Sequence, residues 1–428
     1  MKKLLFLLLF PFLALGQMVP ADSTVRALIQ SKIPTRGART TGYSAADVRT
    51  AMDGIIDYVN KKNPIVTPEM FGALGNGTTD DTQAWQKLLN WVALSSKGAE
   101  IYAPGKYFIT SSLIQVNATV RGAGLRIRGA GREKSGFITH NLNGPLFLLD
   151  GNNDNIPNNT TYYNTYRTEL SDFFIKKSAN TVTGTVTGIL LSSQKDFYIH
   201  DLYMPALSGD GIKITAVGFS DFGESSNGLI ERCWIDGLNG KGINIVGDVS
   251  SEFVASHIII RHNSIFYCNT GIYSELSEQV EIDNNQIIGN TNYGIVIGYD
   301  GRGVSRLITI THNELGNNNL LGSIWIQAVV TGVVEGNRFV NNLTETFGNQ
   351  LTTGKADGSG PVRNLTIQRN YIVQANPNLA GHYQFFIHPG YSNNISILDN
   401  YKIVLASGGF TMIFHGSTFY AKSTKKAD

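Results

Sequence analysis

The sequence predicts an all-β solenoid: a single-stranded right-handed parallel β-helix with an N-terminal capping helix. Three observations point there. A short apolar line ending in Asn recurs along the second half of the chain, and a Gly-Ile-x-Ile line follows it in nearly every copy. The composition also suits many short strands joined by tight turns, with Gly at 46 residues, Pro at only 12 and charged residues at 16%.

The first line reads apolar, any, Ile or Val, two residues, Asn. It appears as Ile258-Ile-Ile-Arg-His-Asn263, Val280-Glu-Ile-Asp-Asn-Asn285 and Ile308-Thr-Ile-Thr-His-Asn313, then again before Asn337, Asn370 and Asn400. Subtracting successive Asn numbers gives spacings of 22, 28, 24, 33 and 30. Periods of that size signal stacked supersecondary units, and the alternation of apolar with polar residues is that of strands. A leucine-rich repeat would show a Leu-dominated consensus of steadier length. Stacked coils bury the alternate Ile and Val, and an Asn at each corner can pair its amide with the coils above and below. Cys233 and Leu202 occupy the Asn slot in earlier, degenerate copies. The unequal spacings predict insertions at other corners.

Taken in order, the chain opens with Lys2 and Lys3, an apolar block from Leu4 to Leu15, and small residues Ala14 and Gly16 before Gln17. This predicts a signal peptide over 1–16 and a secreted or extracellular protein, with a periplasmic or cell-surface location also open. No later apolar run has the length of a transmembrane helix. Residues 17–62 form an N-terminal helical segment, with Ser44 and Asp47 as a capping pair. Val48, Met52, Ile55 and Val59 give either a docked helix or a trimerising neck, so monomer and homotrimer both stay open. The β-helix is expected over 63–428. It starts with Phe71-Gly-Ala-Leu-Gly-Asn-Gly-Thr-Thr-Asp-Asp-Thr-Gln-Ala-Trp85, read as a short strand, a Gly-rich turn and a helix capped by Thr79 or Asp80. Ala84, Trp85, Leu88, Leu89 and Val92 give that helix one apolar face, suited to covering the open end of a solenoid. Glu100-Ile-Tyr-Ala-Pro-Gly-Lys-Tyr-Phe-Ile-Thr follows as strand, turn, strand.

The run from Phe71 to Trp85, with the Ile-Tyr-Ala-Pro-Gly-Lys-Tyr-Phe-Ile segment behind it, resembles the start of the pectate-lyase-like superfamily. That group holds polygalacturonase-related hydrolases and tailspike-like proteins. The resemblance implies a carbohydrate-active β-helix whose Asp80 and Asp81 are structural. It also implies a sugar-binding groove on the sheet that carries the Gly-Ile-x-Ile line.

On that line, Gly211-Ile-Lys-Ile, Gly242-Ile-Asn-Ile, Gly271-Ile-Tyr-Ser, Gly294-Ile-Val-Ile and Ser323-Ile-Trp-Ile put Lys213, Asn244, Tyr273, Val296 and Trp325 in one outward stripe. Residues before the Gly form a second stack, Asp210, Lys241, Thr270 and Tyr293. Polygalacturonases carry Asp, Asp and His on successive coils there. This chain matches only at Asp210, so the polygalacturonase mechanism is not supported, and Asp210 with Lys241 also reads as a surface ion pair. Further carboxylates lie just beyond the sheet: Asp248, Glu275, Glu278 and Asp300, near Arg302 and Arg306. They could serve a hydrolase, a lyase or a Ca²⁺ site, or be solvated turn residues. The candidate catalytic residues are therefore Asp210, Asp248, Glu275 and Asp300. The candidate sugar-binding residues are Lys213, Lys241, Asn244, Tyr273, Tyr293, Trp325 and Arg302, with the aromatics expected either to stack on sugar rings or to stack between coils.

His262 and His312 sit at corners, two coils apart. Cys233 and Cys268 read as buried thiols, and no Cys/His spacing suits structural zinc. A net charge of +2 gives no reason to expect a nucleic-acid partner. Two functions remain: a hydrolase or lyase that binds and cleaves a polysaccharide, or a non-catalytic adhesin or tailspike-like protein that holds one.

Overall fold

The computed structural model describes residues 65–93, 99–116, 124–150, 165–178, 184–216, 225–247, 254–298, 304–316, 322–341, 349–353, 362–374, 385–387, 392–406, 409–415 and 419–421. The expected signal peptide and the helical segment up to residue 62 lie outside them. Strands stack into three long sheets of 15, 13 and 10 members, called sheets 1, 2 and 3 here in the order each coil visits them. One coil shows the pattern: Ala255–Arg261 in sheet 1, Ser264–Phe266 in sheet 2 and Thr270–Glu275 in sheet 3. Each strand pairs in parallel with its counterpart on the coils before and after, as Ile258 does with Gly228 and Val280. The predicted β-helix is present.

Its interior is made by the alternate residues the repeat marked as apolar. Ile258, Ile260, Ile265 and Ile272 of that coil are all fully buried. Each such side chain removed from water is worth roughly 1.5–3 kcal/mol, so the interior is a continuous apolar column.

The corner between sheets 1 and 2 is built as the Asn spacing implied. Asn285 Nδ2 donates to the Ile260 carbonyl of the preceding coil (2.9 Å) and to Asn313 Oδ1 of the next (3.0 Å). The Asn285 backbone N–H donates to the same Asn313 Oδ1 (2.9 Å). The ladder runs unbroken from Asn263 to Asn400. In earlier coils the slot holds buried Phe173, Leu202 and Cys233. Just before the slot the chain takes a left-handed conformation on each coil from Asp172 to Asp399, for example at Arg232 (φ 53°), His262 (φ 56°), His312 (φ 53°) and Gly336 (φ 66°). The two histidines are therefore corner residues. His312 Nδ1 bonds Asp283 at 3.0 Å.

The two ends differ. Helix α1 (Thr82–Ala93) lays Trp85, Leu88, Leu89 and Val92 over the first coils, with the Trp85 ring 5.1 Å from Tyr107 and 4.9 Å from Phe137. The start motif needs one correction. Phe71 ends a 3₁₀ turn (Pro68–Phe71), and the strand, Asn76–Asp80, comes after the first glycines instead of before them. Asp81 causes this by accepting the N–H groups of Leu74 (2.7 Å) and Gly75 (3.1 Å), which folds the Gly-rich turn back. Of the two residues expected at the cap, Asp80 accepts the Thr82 N–H (3.0 Å), and both aspartates are structural. At the other end Gly409–His415 and Phe419–Ala421 pair antiparallel to the last parallel strands. Cys233 and Cys268 are free and buried, with burial pushing both thiols up to about 12.

Candidate functional site

Sheet 3 carries the Gly-Ile-x-Ile line in register. Ile212, Ile243, Ile272, Ile295 and Ile324 align on successive coils and are buried. The glycine before the first Ile is required by close approach: a Cβ on Gly211 or Gly242 would lie 2.6 Å from the next coil's carbonyl oxygen. With the Ile residues inward, Lys213, Asn244, Tyr273, Val296 and Trp325 are direct neighbours on the outer face, as expected. The stack before the glycines is equally regular, with Lys241 opposite Thr270 and Thr270 opposite Tyr293.

Side chains join five of the expected residues into one line. Asp210 Oδ2 accepts Asn244 Nδ2 at 2.6 Å, and its Oδ1 accepts the Lys241 backbone N–H at 2.8 Å. The Lys241 ammonium sits 4.3 Å from the centre of the Tyr273 ring, a cation–π contact. The Tyr273 hydroxyl donates to Glu275 Oε2 at 2.8 Å. Glu275 ends its strand with its side chain on the outer face, and it is only 3% exposed.

Two expectations change. Asp210 meets Lys241 through the backbone N–H instead of an ion pair, because the ammonium is drawn to the aromatic face. Tyr273 is buried, so it is a strut between Lys241 and Glu275 and offers no ring face to a sugar. Among the described residues the aromatic surface on this sheet is the pair Tyr293 and Trp325, whose rings meet across adjacent coils tilted by 33°, with centroids 4.9 Å apart. Asp210 and Glu275 stand too far apart to act as a hydrolytic pair. Asp210 aligns with Thr270, five residues before Glu275, and two coils away. At a rise of about 3.3 Å per residue and about 4.8 Å per coil their Cα atoms stand roughly 19 Å apart. Catalytic carboxylate pairs lie within about 5–10 Å.

Asp248, Asp300 and Arg302 lie outside the described residues. Val246, two residues before Asp248, is the coil neighbour of Glu275. Gly298, two residues before Asp300, follows the residue opposite Ser274. Sequence reasoning missed Gln327, which follows Ile326 on the next coil and donates its backbone N–H to the Ile297 carbonyl at 2.9 Å. Its side-chain amide is buried with no hydrogen-bond partner among the described residues, and a polar residue directly after the Gly/Ser-Ile-x-Ile line was its only signal. Also missed was a charged cluster at the corner of sheets 1 and 2, where Glu231, Arg232, Arg261 and Asp201 interlock. Among the described residues no group of three His, Cys, Asp or Glu is disposed to hold a metal ion, and no helix is long and apolar enough to cross a membrane.

Comparison with known proteins follows this geometry. The family model "Rhamnogalacturonase A/epimerase, pectate lyase-like" matches residues 68–296. The capsule K30/K69-specific depolymerase of Klebsiella phage K64-1 is 26% identical over 389 residues, 84% of this chain and 44% of that protein. The capsule KN3-specific depolymerase 1 of Klebsiella phage KN3-1 is 26% identical over 207 residues, 46% of this chain and 25% of that protein. The chain thus spans less than half the length of these curated relatives. Among solved structures it is similar to PfbA, a surface adhesin of Streptococcus pneumoniae, with a TM-score of 0.55 and 13% identity over 84% of this chain and 99% of that one. A DFA-IIIase of Arthrobacter chlorophenolicus gives a TM-score of 0.58 and 13% identity, covering 80% of this chain and 84% of that one. At these identities the likeness is one of fold.

Proposed function

Because the chain belongs to the rhamnogalacturonase A/epimerase, pectate lyase-like family, we propose that it binds and cleaves a polysaccharide on the outer face of sheet 3. The observation that carries this reading is the line Asp210, Asn244, Lys241, Tyr273 and Glu275, joined contact by contact across three coils. In the proposal Glu275 is the central carboxylate. Its burial favours acid–base work, and the Tyr273 hydroxyl fixes its orientation. Asp248 or Asp300, two residues beyond its coil neighbours, supplies the second carboxylate. Lys213, Lys241 and Arg302 offer positive charge to an acidic sugar, while Tyr293 and Trp325 border the track. Export by the leader at 1–16 would place this activity outside the cell, and both the monomer and the homotrimer accommodate it. The depolymerase relatives act on capsules by their names, which supports a polysaccharide substrate here.

The test incubates the protein with a panel of acidic and neutral polysaccharides, reading new reducing ends and unsaturated-uronate absorbance together. Wild type should release one of the two products, and Glu275→Gln should slow release by about 10²–10⁴-fold. Runs with EDTA and with added Ca²⁺ test the calcium site that the turn carboxylates would form. Binding without either product would overturn cleavage and leave a non-catalytic adhesin.

A further inference from the structure

The corner between sheets 1 and 2 lies across each coil from sheet 3 and carries a different surface. On its sheet 1 side the charges are locked. Arg232 bonds both oxygens of Asp201 (Nε to Oδ1 3.1 Å, Nη2 to Oδ2 2.9 Å) and also reaches Glu231 and the Tyr198 hydroxyl. Arg261 bonds the other Glu231 oxygen at 2.9 Å. His200 stacks on Tyr198 with centroids 4.0 Å apart and bonds Asp201 at 2.7 Å. This much is explained as a clamp between coils.

The sheet 2 side is not explained that way. Tyr203 and Trp234 are register partners on adjacent coils, and their rings lie 5.6 Å apart. Phe266, on the next coil, is 6.2 Å from Trp234. Trp234 is 38% exposed and neighbouring Tyr267 is 65% exposed. Above this platform hangs Arg132, from the loop between Leu125–Gly129 and Gly136–Thr139. Its guanidinium carbon is 5.8 Å from the centre of the Trp234 ring, and Nη1 reaches the Arg232 carbonyl at 3.5 Å. Among the described residues Arg132 has no carboxylate partner. Arg132 thus holds its cation beside an exposed indole, with a backbone carbonyl as its acceptor. Arg232 and Arg261 are taken up by Asp201 and Glu231, which leaves Arg132 as a cation on the sheet 2 side without a carboxylate partner among the described residues. Asp236, on the same strand as Trp234, has its carboxyl pushed up by burial.

We propose that this corner is a second carbohydrate site, one that takes an acidic polysaccharide running along the axis of the stack. A sugar ring lies on Trp234, and Arg132 meets its carboxylate. The aromatic face matches the apolar face of a sugar ring, and a guanidinium matches a carboxylate through paired hydrogen bonds. Successive coils repeat every ~4.8 Å, so Tyr203 and Phe266, inclined at 60° and 85° to the Trp234 ring, flank it along the same axis and border the glycan chain. The inference rests on reading the chain as a polysaccharide-binding protein, but not on where cleavage occurs.

Native electrophoresis through gels containing polygalacturonate or hyaluronate, with dextran as the neutral control, tests it on the full chain. Wild type should be retarded by an acidic polymer and not by dextran. Trp234→Ala and Arg132→Gln should each raise the apparent Kd about fivefold, and Arg132→Lys should recover part of the loss. Both side chains lie on the surface, and sedimentation of each variant checks its assembly state. Equal retardation of wild type and both variants overturns the proposal. So does retardation by dextran alone, or a Trp234→Ala variant that changes only the sedimenting mass, which would make the face a contact between copies. Glu275→Gln separates the two sites: a Glu275→Gln protein that still cleaves sinks the sheet 3 reading while leaving corner retardation to be judged on its own.

Discussion

Glu231 illustrates how one side chain ties three coils together. Burial alone would raise its pKa, yet hydrogen bonds from Tyr198, Arg261 and Arg232 outweigh that and bring the carboxyl down to about 2. A carboxylate whose folded pKa is depressed stabilises the fold above its unfolded value, and the contribution fades as pH falls through the folded one. The window is thus from about 4.5 down to about 2. Glu231→Gln should be less stable than wild type at neutral pH, by about 3 kcal/mol at most. That gap should close as pH drops towards 2. Urea midpoints at pH 7, 4 and 2.5 check this, and a gap independent of pH would show that shape, not charge, is what Glu231 supplies. None of this was legible in the sequence. Glu231, Arg232 and Asp201 fall in degenerate repeats, where the Asn that marks the corner is replaced by Cys233 and Leu202. By contrast Asp210, Lys241, Asn244, Tyr273 and Glu275 were found because a regular Gly-Ile-x-Ile line counts out which residues face outward. The line gives positions but not contacts, so it missed the Lys241 ammonium settling on Tyr273 and left that ring looking available.

Among the elements, the Asn corner gives the sharpest contrast between buried and exposed copies of one chemistry. Asn313 Oδ1 accepts both the N–H and the Nδ2 of Asn285, while its own Nδ2 donates to Ile282 and Asn337. Asn313→Ala would leave several buried groups unpaired and should cost about 2–4 kcal/mol in chemical denaturation. Asn394 donates to Asn364 on the preceding coil, but in water, so Asn394→Ala should change stability by less than about 0.5 kcal/mol. Equal losses for the two would mean that the ladder is no more than a row of well-placed turns. The fold was legible at this scale because one residue type per coil does a job no apolar residue can. The strand of the start motif was misplaced for the opposite reason. Asp81 reaches back seven residues to fix the turn, a contact that spacing does not announce.

At the scale of the whole molecule, strands pair only with those of adjacent coils, so damage should stay local. Trp85→Ala empties the packing between α1 and the first coils, at a cost of about 3–5 kcal/mol. Amide hydrogen exchange should then quicken around Ile101 and Ile127 and remain slow around Asn313. Uniform acceleration along the chain would show that the coils unfold as one body. The left-handed residue ahead of each ladder slot has a further consequence. Those vertices cut the chain into modules of unequal length but identical pitch, so a coil is also a unit of editing. Excising one vertex-to-vertex segment, such as the 22 residues separating Asn263 from Asn285, brings equivalent positions together. The inward and outward residues of every later coil then keep their sides. An excision one residue longer would turn every residue of the rejoined strand to the opposite face, as slipping a zip by a single tooth misaligns all that follows.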